Sequence, residues 1–209
     1  MREEFPASNR GNQELDLSYS HVTDAGLESL KGLKSLQSLN LRGTKVSGIG
    51  LEHLNGLTHL NDLDLSFTQV MDAGLEHIQR LVRLNQLDLS CTEITNVGLE
   101  HLKKLTRLES LSIIHGIHIT DAGLEHLEGL TTLKWLKLNN VRVTDAGLKR
   151  LKSMTNLTSL ELDETQITDA GLEHLTGFRM LLWFRCNGTQ VTEEGRTWLR
   201  AALRGCTIR

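Results

Sequence analysis

Apolar residues recur along this chain in one fixed order. From Leu60 the string LNDLDLSFTQVMDAGLEHIQRLVR is followed at Leu84 by LNQLDLSCTEITNVGLEHLKKLTR. The period is 24, and the shared pattern reads L-x-x-L-x-L-x-x-T-x-V-T-D-A-G-L-x-x-L-x-x-L-x-x. Other copies open at Leu36, Leu108, Leu133, Leu157 and Leu181, and a first copy opens at Asn12 without its leading leucine. The chain therefore divides into eight repeats: 12–35, 36–59, 60–83, 84–107, 108–132, 133–156, 157–180 and 181–204. Residues 1–11, with Phe5-Pro6, are expected to cap one end, and 205–209 to close the other as a short strand through Cys206 and Ile208.

Each copy contains two periodicities. Its first part alternates, as in Leu63-Asp64-Leu65, which predicts a short strand with one buried face. Strands are expected near 14–17, 38–41, 62–65, 86–89, 110–113, 135–138, 159–162 and 183–186. Its second part spaces leucines by three, as at Leu99, Leu102 and Leu105, which predicts one stripe of a short helix. The intervening Thr-Asp-Ala-Gly suits a helix start: Thr or Asp caps free N–H groups, and the acid meets the positive end of the dipole. The glycine reads as space for the helix to approach the strand layer. No single unit can bury its leucines, so neighbouring copies must stack.

These residues resemble the leucine-rich repeat family, and within it the bacterial 24-residue GALA-type class also common in planctomycete proteins. That resemblance implies an α/β fold: a right-handed solenoid, or horseshoe, with a parallel β-sheet on its concave face and short helices on its convex face. It implies little about function, because the class, with F-box-linked plant-pathogen effectors among its members, serves many binding roles.

Some copies depart from the pattern. Ser47-Gly48-Ile49 replaces Thr-Asp-Ala in the second, and Asn96-Val97 replaces Asp-Ala in the fourth. The fifth has 25 residues, the extra one falling within Ile114–His118, where a bulged loop is expected.

With the strand leucines inward, repeat positions three, five and seven point onto the concave face. Copies one to four place small and acidic residues there, including Asp16, Asp62, Asp64 and Asp88. Copies five to eight place Trp135, Lys137, Asn139, Ser159, Glu161, Asp163, Trp183 and Arg185, bordered by Ile114 and His115. Exposed tryptophan is scarce on soluble surfaces and frequent at interface hot spots. Trp135 and Trp183 lie two strands apart, roughly 10 Å, with Ser159 forming a notch between them. These ten residues form the expected partner-binding site. The competing reading is that Trp183 shields the C-terminal end while Trp135 leans on Lys137.

Other chemistry fares worse. The Asp64–Asp88 pair with Asp62 and Asp16 invites a hard cation, but no glycine-rich ligand loop accompanies it. His53, His77, His101, His126 and His174 share one helix position, yet helix axes roughly 8–10 Å apart keep them from sharing an ion easily. Cys91 and His115 occupy the same position in successive copies, but nothing nearby supplies an orienting third group or an oxyanion site. No Gly-rich phosphate loop, HExxH, GxSxG or CxxC occurs. The expectation is no enzyme, no metal and no cofactor.

Composition narrows the partner. Leucine supplies 41 of 209 residues and aromatics only 4%, so the core is aliphatic. A net charge of −3 argues against a sequence-blind nucleic-acid binder. No apolar run is long enough to span a membrane, MREEFPASNR lacks a signal-peptide core, and three cysteines make no disulfide framework. A cytoplasmic monomer recognising a protein or peptide is expected. The alternative is a recognition domain of a larger effector or ubiquitin-ligase adaptor.

Overall fold

In a computed structural model, residues 13–209 are described; the expected cap at 1–11 lies outside them. Nine strands form one parallel sheet in chain order: β1 (Glu14–Asp16), β2 (Ser38–Asn40), β3 (Asp62–Asp64), β4 (Gln86–Asp88), β5 (Ser110–Ser112), β6 (Trp135–Lys137), β7 (Ser159–Glu161), β8 (Trp183–Arg185) and β9 (Thr207–Ile208). The register aligns Leu15, Leu39, Leu63, Leu87, Leu111, Leu136, Leu160, Phe184 and Ile208 in one buried row. The chain is a right-handed repeat solenoid with this sheet on its concave face.

Helical segments begin at or beside the expected motif, at Asp24, Ile49, Asp72, Asn96, Asp121, Asp145, Asp169 and Glu193. Most are one α-turn, or none, running into a 3₁₀ segment. Spacing apolar residues by three suits that geometry, because i and i+3 eclipse in a 3₁₀-helix. Leu51 and Leu54, or Leu172 and Leu175, therefore enter the core together.

The Thr-Asp-Ala-Gly motif does something its sequence did not suggest. Asp24 accepts from the backbone N–H and hydroxyl of Ser47 in the next copy, at 2.7 and 2.6 Å. Asp72 does the same to Thr95, Asp121 to Thr144, Asp145 to Thr168 and Asp169 to Thr192. Asn96 substitutes through its amide toward Thr120. The threonine does cap its own helix at Thr95, Thr144, Thr168 and Thr192, whose hydroxyls accept a first-turn N–H, while the aspartate clasps the following copy. The motif glycine makes room for that carboxylate, not for the strand layer: a methyl on Gly98 would overlap Asp72 Oδ1, and one on Gly147 would overlap Asp121 Oδ1.

After each strand the chain turns sharply at position eight. Tyr19, Gly43, Phe67, Cys91, His115, Asn140, Glu164 and Gly188 all have positive φ, between 54° and 68°. Where position nine is threonine, its hydroxyl closes the turn on the position-six carbonyl, as Thr68 Oγ1 does on Leu65 O at 2.6 Å. The extra residue of the fifth copy is absorbed here, between His115 and Ile119, where Ile119 N–H donates to Gly116 O at 2.8 Å. Pairing of β5 with β6 continues undisturbed.

Candidate functional site

The sheet sets two rows of side chains on the concave face. One runs Ser110, Trp135, Ser159, Trp183 and the other Ser112, Lys137, Glu161, Arg185, each step a strand spacing. Trp135 and Trp183 are 45% and 52% exposed, flanking the half-buried Ser159. Trp183 pairs in register with Thr207 of β9, so it is not the last residue of the row. Trp135 leans on Lys134 rather than Lys137: the Lys134 ammonium is 6.0 Å from the ring centroid and 2.9 Å from Glu109.

The polar residues of this patch pair with one another. Glu161 lies between Lys137 at 3.7 Å and Arg185 at 3.5 Å, and Arg185 reaches Asp163 at 2.6 Å. Asn139 donates to Glu161 at 3.0 Å and accepts the Asp163 N–H at 2.9 Å. Asp163 in turn accepts the Asn187 N–H at 2.8 Å. Charge here is balanced and held in place. Ile114 stands beside this network, half-buried, with its N–H on Ser90 Oγ at 3.1 Å. His115 is separate: it occupies the ridge at position eight, its ring 2.8 Å from the Asn140 amide.

Copies one to four follow another rule. Asp64 and Asp88 at position five accept the N–H of Ser66 and Ser90 two residues on, each at 2.8 Å, and Asn40 serves Arg42 likewise at 3.0 Å. This local turn explains the recurring Leu-Asp-Leu-Ser spelling. Three outward slots prove covered: Ser66, Ser90 and Ser112 are buried, and the Ser90 and Ser112 hydroxyls meet at 2.8 Å. Asp62, Asp64 and Asp88 line a cavity of about 340 Å³ that ends at Lys137. Burial, with the neighbouring Asp64 charge, pushes the Asp62 carboxyl above its usual range.

A second exposed cluster escaped the sequence reading. Tyr19 and Phe67 project from the ridge, with the Arg42 guanidinium 5.8 and 4.4 Å from their ring centroids. Reading position eight as a column would have found it, because aromatics there alternate with glycine.

Burial pushes the Cys91 thiol up rather than down, the wrong direction for a nucleophile. Among the described residues no group of three or more His, Cys, Asp and Glu is placed to hold a metal, and no helix is long and apolar enough to cross a membrane.

Residues 13–70 match one leucine-rich repeat family description, and 84–103 and 153–175 match a second. The chain is a leucine-rich repeat protein. Its fold is similar to the crystal structure of an internalin C2 from Listeria monocytogenes, with 26% identity and a TM-score of 0.76. That likeness covers 94% of this chain and 80% of the internalin. No curated protein matches the sequence. Leucine-rich repeats are in general protein-interaction modules, and the repeat fold here presents its one continuous open sheet face to solvent.

Proposed function

We propose that this leucine-rich repeat protein is a non-catalytic recognition module that binds a protein or peptide on its concave face, anchored by Trp135 and Trp183. One observation carries the reading: two exposed tryptophans flank a serine notch on a rigid sheet, beside a balanced network of Lys137, Glu161, Asp163 and Arg185. Large aromatic anchors supply most binding energy at such surfaces, and ordered charges around them select the partner. Asn139, Ile114 and His115 border the site. The 24-residue repeat spelling supports a GALA-type member, and the net charge of −3 argues against a sequence-blind nucleic-acid target.

The test is a pull-down with the intact chain, repeated with Trp135→Ala/Trp183→Ala and with Asp64→Ala. Prey lost with the tryptophan variant and kept with the aspartate variant supports this surface. Prey kept without the tryptophans but lost without Asp64 overturns it.

A further inference from the structure

The ridge above copies one to three holds a feature the tryptophan patch does not use. Position eight has left-handed backbone, a conformation that disfavours any Cβ and a bulky aromatic most of all. Tyr19 and Phe67 adopt it nonetheless, with φ of 54° and 58°. The two residues are 67% and 50% exposed, so no core packing repays the strain. Backbone held in such regions clusters at binding sites.

The two rings are fixed before any partner arrives. Gly43 lies between them, and a methyl there would come 2.6 Å from Tyr19 Cδ1, so the Tyr19 ring rests across the glycine. Arg42 bridges the rings: Nε donates to the Tyr19 hydroxyl at 2.7 Å and Nη1 to Ser66 Oγ at 2.8 Å. A stacked, hydrogen-bonded guanidinium between two aromatics loses little freedom on binding.

Charge identifies what this platform meets. In copies one to four the concave face carries Asp16, Asp62, Asp64 and Asp88 against Arg42, whereas beyond copy five Lys137 and Arg185 balance Glu161 and Asp163. The face is therefore negative at one end and neutral, with tryptophan, at the other. An acidic segment would be repelled from the first half, and an apolar one would strip water from the aspartates without compensation.

We propose that the Tyr19–Arg42–Phe67 stack is a second anchor of the concave surface, and that the segment it holds is basic. Apolar parts of its Lys and Arg side chains lie on the two rings, and their charged ends face Asp62, Asp64 and Asp88. This rests on the concave recognition reading and deepens it by fixing the polarity of the bound segment. From β1 to β8 is seven strand spacings, roughly 34 Å, which an extended chain of about ten residues spans. One short segment thus reaches both anchors, basic end over copies one to four and apolar end at Trp135 and Trp183.

The test pans a random dodecapeptide phage library on the intact chain at low salt, then measures a selected synthetic peptide by fluorescence polarisation. Enrichment of Lys and Arg is expected. Tyr19→Ala and Phe67→Ala should each weaken that peptide roughly tenfold or more. Asp64→Asn/Asp88→Asn should weaken it similarly and flatten its salt dependence. Asparagine preserves the turn, as Asn40 shows by accepting the Arg42 N–H. Acidic or neutral selected peptides, no selection at all, or unchanged affinity in both aromatic variants overturns the proposal. Loss confined to Trp135→Ala and Trp183→Ala overturns the second anchor while leaving the concave reading standing. Unchanged affinity in all four aromatic variants overturns both.

Discussion

Asp72 in the third copy holds Thr95 in the fourth by two bonds at once, accepting the backbone N–H at 2.7 Å and the hydroxyl at 2.6 Å. The clasp recurs along the array and ties copies together at every junction but the one between copies two and three, with Asn96 standing in for aspartate once. In a solenoid, where each copy contacts only its neighbours, such interface bonds add directly to stability.

Asp72→Ala should therefore cost about 1–3 kcal/mol, since the Thr95 groups lose a charged acceptor. Gly98→Ala should also destabilise, by about 1–3 kcal/mol, because the new methyl overlaps the Asp72 carboxylate. In the double variant the overlap disappears with its cause. Urea unfolding of all four proteins should then show the double variant more stable than the sum of the singles predicts, by about 1 kcal/mol. Strict additivity would mean the glycine is not there for the carboxylate.

Copy two offers a counter-intuitive case. Gly48 stands where the clasping aspartate belongs, and Met71, not threonine, stands where its partner belongs. The two departures match, because without a carboxylate there is nothing for a hydroxyl to meet. Gly48→Asp restores the repeat pattern, yet it should lower the melting temperature. A Cβ at Gly48 would lie 2.8 Å from Gly74 Cα, in a backbone-to-backbone contact with no flexible side chain to yield. A rise in melting temperature would refute the packing account.

The fold was legible because a buried row needs the same residue type in every copy, and leucine recurs at Leu39, Leu63, Leu87 and Leu111 accordingly. Trp135, Ser159 and Trp183 could be placed on one face because strand alternation fixes direction. The threonine caps are legible beside each helix start, but the partner of Asp72 lies 23 residues on, beyond the reach of a local motif. The cover over Ser90 and Ser112 is not legible because alternation gives direction, not cover; their mutual hydrogen bond is an inter-copy fact. The Tyr19–Arg42–Phe67 cluster is half legible: position eight read as a column gives Tyr19, Gly43 and Phe67, but nothing in their identity announces the positive φ that sets the rings on the ridge.

That cover at Ser112 changes an expected outcome. Leu111→Ala should cost about 2–5 kcal/mol through its cavity. Ser112→Ala, at a slot that alternation alone marks as solvent-facing, should still cost about 1 kcal/mol by leaving the buried Ser90 hydroxyl short of a partner. Unfolding of both variants, with Ser90→Ala/Ser112→Ala as a third, checks this. The pair should cost less than Ser112→Ala and Ser90→Ala summed.

Two aspartates should give opposite pH dependences. Burial and the nearby Asp64 raise the Asp62 carboxyl above its ordinary 3.8, so its charged form disfavours the folded state. Asp62→Asn should then be more stable than the parent at neutral pH. The gap should close as pH falls through the raised native value and vanish below 3.8, where Asp62 is protonated in both states. Asp169 is shifted down, first by the Thr192 hydroxyl and then by its backbone N–H. Its stabilisation is fully present above 3.8 and is lost as pH falls through its lowered native value. Asp169→Asn keeps an acceptor for Thr192, as Asn96 does for Thr120, but lacks the charge. It should be less stable than the parent at neutral pH, with the difference shrinking below 3.8. Urea midpoints from neutral pH down to about pH 3 resolve both trends. Parallel trends in the two variants would mean that solvent screens both sites alike, and that the crowding of Asp62 by Asp64 has no energetic consequence.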